Sequence, residues 1–321
     1  MQRFKNILYV SERGVAQTAT MLRAVILAEK NQAELTVIDV IPTFPASKGV
    51  ADGEPDLSEL QAAMMSDSRQ NLESLIEPHR QRLNINCEVL LGMAFLEIIR
   101  AVLRTGYDLV IKPAGNPDFL QRRVGSEDMH LLRKCPCPVW LMKSEEKANY
   151  GSILAAVDFD PLGPGAEKQE FNQQILGLSA SLALSDFAAL HLVHAWESFA
   201  ENKLTVWSDK PAGAAVYVEK ERLRHETGLA QLGEWLRGLI GAETYDSLSP
   251  RIHLRKGQAR KVITALAGEL KVDLIVMGTV ARTGISGLII GNTAEAILEQ
   301  VQCSVLALKP AGFISPIKLE E

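Results

Sequence analysis

The chain has 321 residues, more than one hydrophobic core usually fills, so two domains are expected; 47% hydrophobic and 23% charged residues argue against a disordered, fibrous or membrane-embedded chain. A net charge of -5 supplies no chain-wide basic field, which excludes nucleic-acid gripping through general counterion release. The amino terminus, MQRFKNILYVSERG, has too short an apolar run for a signal-peptide core or a membrane span, so a cytoplasmic protein without membrane insertion is expected.

In chain order, a β-type apolar run near residues 6–11 is followed by a segment, Thr18 to Lys30, that places Met21, Val25 and Ala28 on one helical face. A second strand is predicted near 33–41, then a long helix or broken pair over 56–83, and strands near 84–91, 107–112 and 137–143. Cys135-Pro-Cys137 lies at the start of the last of these, with His130 nearby. No second pair completes a zinc site, and Cys87 and Cys303 stand far off, so reduced thiols buried at strand ends are expected rather than a metal or a disulfide framework. The polar stretch SEEKANYG, Ser144 to Gly151, marks a boundary between domains at 1–146 and 151–312.

The pattern then repeats. Strands are predicted near 152–157, 188–196, 250–256, 272–277 and 303–309, with a helix over Phe171 to Leu184 that aligns Ile175, Leu178 and Leu182, and another long helical segment over 214–241. Asn6-Ile-Leu-Tyr-Val resembles Ser152-Ile-Leu-Ala-Ala; Gly92 answers Gly257, Asp108 answers Asp273, and Cys137-Pro-Val-Trp-Leu-Met-Lys143 answers Cys303-Ser-Val-Leu-Ala-Leu-Lys309. Strands alternating with helices, the strands reading as continuous apolar runs, predict an α/β fold: two doubly wound parallel sheets of five strands, with helices on both faces. Pro161-Leu-Gly-Pro-Gly165 reads as a loop after the first strand of the second copy.

The stretch GTVARTGISGLIIGNT, residues 278–293, follows the apolar run at 273–277, and ligands of open parallel sheets collect at such strand ends. Gly278 permits close backbone approach or positive φ, and Gly291-Asn292-Thr293 opens the next helical segment as Asn and Thr do at N-caps. An anion is favoured there, and Arg282 adds a positive charge. A plain strand-to-helix turn would also tolerate these glycines. No G-x-x-x-x-G-K-[ST] is present, and no G-x-G-x-x-G follows either first strand, which argues against dinucleotide oxidoreduction.

Asp158 after a first strand, Gly257, Gly278 to Thr293 and Cys303-Ser-Val-Leu-Ala-Leu-Lys-Pro310 together resemble the universal stress proteins of the tandem type, over essentially the whole chain. The resemblance implies two Rossmann-like domains of the adenine-nucleotide alpha-hydrolase-like kind, paired through their last strands as an intrachain pseudo-dimer. It also implies ATP or another adenine nucleotide, with no metal beyond nucleotide-associated magnesium. In nucleotide-binding members the loop follows G-x2-G-x9-G-[S/T], whose first and last glycines fall on Gly278 and Gly291. Asp158 would meet adenine, with the backbone at Ala195 lining the same pocket, and Gly278, Thr279, Arg282, Gly291, Asn292 and Thr293 would surround ribose and phosphates. Ala281 departs from the second loop glycine, and Asn292 replaces Ser or Thr with Thr293 beside it. The first copy departs further: Pro113 stands where Gly278 would fall and Glu12 where Asp158 would, so it is not expected to hold ATP. Its Arg122, Arg123, Gly125 and Ser126 read as a solvated basic face, with attraction of some other anion as the alternative.

No nucleophile, paired carboxylate or metal-ligand spacing carries a catalytic signature, so no catalytic residue is assigned and ATP hydrolysis is at most slow. His194 reads as a core or pocket-wall residue, with His191 expected on the same side. The expected function is a stress-response protein that binds an adenine nucleotide through its second copy. The alternative is a nucleotide-free scaffold whose long helices bind a protein or an apolar small molecule; Met64, Met65, Trp207, Val216, Tyr217 and Val218 lie there, with core packing expected for most. A protein partner and further self-association stay open.

Overall fold

Ten strands form two five-stranded parallel arrangements, one in each of two compact units, in a computed structural model that describes residues 4–44, 57–114, 127–143, 146–163, 165–198, 211–279 and 291–319. Among these, the first unit runs up to Ala148 and takes in the chain from Phe313 onward; the second runs from Asn149 to Gly312. In the first, β1 (Asn6–Val10), β2 (Glu34–Ile41), β3 (Ile85–Leu91), β4 (Leu109–Pro113) and β5 (Val139–Met142) are ordered β3-β2-β1-β4-β5. The second repeats the plan with β6 (Ser152–Ala156), β7 (Ala189–Trp196), β8 (Arg251–Lys256), β9 (Leu274–Gly278) and β10 (Ser304–Leu308), ordered β8-β7-β6-β9-β10.

The central strands are the continuous apolar runs of the sequence because both their faces are covered. Ile7, Leu8, Tyr9 and Val10 of β1, and Ile153, Leu154 and Ala155 of β6, are buried. Edge strand β8, Arg-Ile-His-Leu-Arg-Lys, is exposed to half-buried throughout, so it tolerates charge. The helices Thr18–Asn31 and Leu57–Ile76 span the step β1-β2-β3, whereas Ala94–Thr105 and Glu127–Lys134 pack together on the return to β4 and β5. Right-handed crossovers place those two pairs on opposite faces.

The repeated residues do repeated work. Asp108, just before β4, accepts hydrogen bonds from the backbone N–H groups of Lys5 and Asn6 at 2.6 and 3.2 Å, and Asp273, just before β9, accepts from those of Gly151 and Ser152 at 2.7 and 3.2 Å. Each thus fastens the first strand of its unit to the fourth. Gly92 and Gly257 follow β3 and β8 with φ of +145° and +135°, where a side chain would be strained, and their N–H groups bond the last carbonyls of β2 and β7, Ile41 and Trp196, at 2.9 and 2.8 Å.

The long helical segments resolve into Leu57–Ile76 with a short turn at Glu77–His79, and into Pro211–Ile240 followed by Ala242–Leu248. Core packing of their apolar residues is corrected here. Met64, Met65, Tyr217 and Val218 are half-buried and Val216 is 70% exposed; the fully buried side chains lie further along each helix, Ser68, Leu72 and Ile76 in one and Leu229, Leu232 and Leu236 in the other. Trp207 lies outside the described residues. Cys135, Cys137 and Cys303 are buried and Cys87 is half-buried; none of the four forms a disulfide, and the hydrogen bond with Cys135, together with burial, raises the Cys137 pKa. No helix among the described residues is long and apolar enough to cross a membrane.

Candidate functional site

Strand register in the second unit fixes which residues share the C-terminal rim of the sheet. Ala156 of β6 pairs with Met277 of β9 and Val193 of β7, and Leu308 of β10 pairs with Gly278. Asp158, Ala195, Gly278 and Thr279 therefore stand on neighbouring strand ends, with Lys309 beside them. Asp158 is exposed, while its main chain is held by Asn172: the Asp158 N–H donates to Asn172 Oδ1 at 3.1 Å, and Asn172 Nδ2 donates back to the Asp158 carbonyl at 3.0 Å. One side chain from the helix Ala166–Asp186 thereby sets where the carboxylate is presented.

Gly278 does not have positive φ, so the reason for a glycine is space. A Cβ there would lie 2.5 Å from Cε1 of Phe171, whose ring fills the side that the missing side chain opens. The next residue, Thr279, is fully buried. Its N–H donates to the Leu308 carbonyl at 3.2 Å, and its Oγ1 accepts from the buried ammonium of Lys309 at 2.7 Å. Gly291 N–H donates to the Thr279 carbonyl at 3.0 Å, which closes the ends of the loop onto each other.

The expectation that Asn292 and Thr293 serve as N-caps is corrected. Gly291 is the N-cap, in extended conformation, with no side-chain cap bond; Asn292 and Thr293 already belong to the seven-residue helix Asn292–Leu298 and are exposed. Arg282 and Ala281 lie outside the described residues, as do Arg122, Arg123, Gly125 and Ser126 of the first copy. Phe171, Asn172 and Lys309 are the residues that sequence reasoning left out. Lys309 carried a signal, a cation ending each repeat's last strand, but nothing in that pattern tells that it is buried.

His194 and His191 do not share a side. They are three positions apart, and side chains alternate along a strand, so they point to opposite faces. His194 Nδ1 donates to the Val157 carbonyl at 3.2 Å, which leaves Nε2 to accept from His225 Nδ1 at 2.9 Å. Phe159 stacks on the His194 ring at 4.0 Å. His191 instead bonds His253 on neighbouring β8 at 2.9 Å. Burial lowers His191 and His194 to a pKa of about 4, and His225 and His253 are also lowered by burial.

The first unit closes the same rim with charge. Lys112 is the penultimate residue of the buried β4, and its ammonium contacts Glu12 and Asp128, the latter at 3.0 Å; the Lys112 and Asp128 side chains are each only 5% exposed. Pro113 follows, paired with Met142. In the second unit the positions answering Lys112 and Asp128 hold Met277 and Ala294, so the Lys112–Asp128 pair has no counterpart at those positions. Among the described residues no group of three or more His, Cys, Asp or Glu is arranged to hold a metal ion.

Comparison with known proteins agrees with the repeat. Residues 3–143 and 149–309 each match the family described as Universal stress protein family. Universal stress protein E of Escherichia coli is 30% identical over 230 residues, covering 71% of this chain and 68% of that protein. A Universal stress protein E homolog of Haemophilus influenzae is 29% identical over 329 residues, covering 96% and 98%. A crystal structure of a putative universal stress protein from Pseudomonas aeruginosa superposes with a TM-score of 0.65 at 25% identity, covering 96% of this chain and 94% of that one. A universal stress protein from Archaeoglobus fulgidus, at 16% identity and a TM-score of 0.61 over 95% of this chain and 98% of its own, shares the fold.

Proposed function

Because the chain belongs to the universal stress protein family, we propose that it is a cytoplasmic, non-catalytic stress-response protein that binds an adenine nucleotide, ATP, at the sheet rim of its second unit. One observation carries this reading: the rim sets the exposed Asp158 carboxylate on one strand end and the Lys309 ammonium with the Thr279 hydroxyl on others, an acceptor and a cation on one edge. A carboxylate accepts from the exocyclic amine of adenine, and an ammonium favours phosphate. In this reading the main chain at Ala195 lines the base, and Gly278, Thr279, Arg282, Gly291, Asn292 and Thr293 surround ribose and phosphates. Magnesium comes only with the nucleotide. The first domain, 1–146, serves as a partner without ATP, since Lys112 already neutralises the acids at its rim and Pro113 withholds a backbone donor; the second, 151–312, holds the ligand.

Binding without turnover is supported by the state of His194. Its low pKa keeps it neutral near pH 7, and both ring nitrogens are committed, one to Val157 and one to His225, so it has no free lone pair for a general base. Calorimetric titration of the full chain with ATP and with AMP, repeated on Asp158→Ala, tests the reading. ATP binding that weakens at least about tenfold in the variant, a loss of about 1.4 kcal/mol, is expected. No binding, or equal affinity in the two proteins, overturns it.

A further inference from the structure

Beside the rim, just past Asp158, the second unit holds a cavity of about 270 Å³ between the helices Ala166–Asp186 and Pro211–Ile240. Phe159, Leu232 and Trp235 supply its apolar wall, and Lys168, Arg224 and Asn172 stand in its polar lining with Asp160, Gln169 and Gln231. That wall is built against helix propensity. Gly228 stands inside a 30-residue helix, where glycine costs about 1 kcal/mol relative to alanine, and a Cβ at that position would lie 2.4 Å from the Phe159 ring. On its far side the ring stacks on His194, so Phe159 is held from two directions.

The polar groups around this wall are mainly donors. The Lys168 ammonium makes no ion pair or hydrogen bond among the described residues, while its main-chain N–H donates to the Gly165 carbonyl at 3.0 Å. Asn172 spends one amide hydrogen and one lone pair on the main chain of Asp158 and keeps a second amide hydrogen. Arg224 gives one nitrogen to Glu221 and retains the others. The acid at the edge, Asp160, accepts from the Leu162 N–H at 2.9 Å. A ligand here has to bring acceptors to Lys168 and Arg224 and an apolar face to Phe159 and Trp235. Size narrows it further: pockets for drug-sized ligands run from about 300 to 1,000 Å³, so this one takes a single ring with a short acidic group and is too small for a nucleotide or a lipid chain.

We propose that this cavity binds a small aromatic carboxylate, its ring against Phe159 and Trp235 and its carboxylate at Lys168 and Arg224. Titration of the full chain with benzoate and with benzyl alcohol, followed by calorimetry, tests this, because the two probes share the ring and differ in charge. Benzoate binds about three- to fivefold more tightly than benzyl alcohol at low salt, the ratio an exposed ion pair supplies. Lys168→Gln brings the ratio close to one and leaves benzyl alcohol unchanged; Lys168 is exposed, so the fold is spared. Thr227→Phe, at an exposed position lining the cavity, fills it and removes both. Absence of benzoate binding, equal affinity for the two probes in the unaltered chain, or binding that survives Thr227→Phe overturns the proposal.

Discussion

Gly278→Ala separates two reasons for a glycine at the end of β9. The added Cβ would lie 2.5 Å from Cε1 and 2.9 Å from Cζ of Phe171, whereas carbon atoms in ordinary contact sit about 3.5–4.0 Å apart, so roughly 1 Å of overlap must be relieved. Overpacking of that kind costs about 1–3 kcal/mol. In a unit of this size each kcal/mol lowers Tm by about 2–4 °C. Gly278 lies outside the left-handed region, so alanine adds no backbone strain and the loss belongs to the contact with the ring. Phe171→Ala opens space for the methyl group, so the two substitutions couple favourably by about 1–2 kcal/mol in a double-mutant cycle. Urea unfolding followed by circular dichroism on the four proteins measures that coupling. Costs that add to within about 0.5 kcal/mol refute the assignment of this glycine to Phe171.

Lys112→Met removes the ammonium from the buried Asp128 and from Glu12, at a cost of about 3–5 kcal/mol in urea unfolding; adding Glu12→Gln and Asp128→Asn recovers most of it, and a loss under about 1 kcal/mol for Lys112→Met alone contradicts the role given to the ion cluster. Acid acts on the second unit through its buried histidines. His191 and His194 have pKa values of about 4 in the fold, against about 6.5 in an unfolded chain. Between those values only the unfolded chain takes up the protons. Stability is therefore fully present above about pH 6.5 and falls as the pH drops toward about 4, with His194 contributing a slope approaching about 1.4 kcal/mol per pH unit. Urea midpoints measured from about pH 7 to about pH 4.5 check this, and a flat profile, or one that His194→Gln leaves unchanged in slope, is the contrary result.

Strands and helices were legible because burial on both faces writes uninterrupted apolar runs, and because the chain states the plan twice. Asp108 with Asp273, and Gly92 with Gly257, stood out as repeated residues, and each pair has one physical task in both copies. Long-range contacts were not legible. Phe171 covers Gly278 from over a hundred residues away, and no local pattern couples a helix's aromatic residue to a strand-end glycine. Lys112 reads as a charge interrupting an apolar strand until Glu12 and Asp128 are found beside it. The separation of His191 from His194 was available from strand alternation alone. The wall at Phe159 was hidden because its sign is a helix-interior glycine, Gly228, whose partner is a strand-end residue.

The Asp108 and Asp273 fastenings also set a schedule. Each joins the first residue of a unit's first strand to an acid 102 and 121 residues later, and that strand lies in the middle of its sheet. During translation β1 emerges first yet has an open flank until the fourth strand has cleared the ribosome, and β6 repeats the wait. Nascent chains halted before residue 108 display a bare apolar edge of the kind that holdase chaperones cover, and the second half of the protein presents the same exposure to the cell once more.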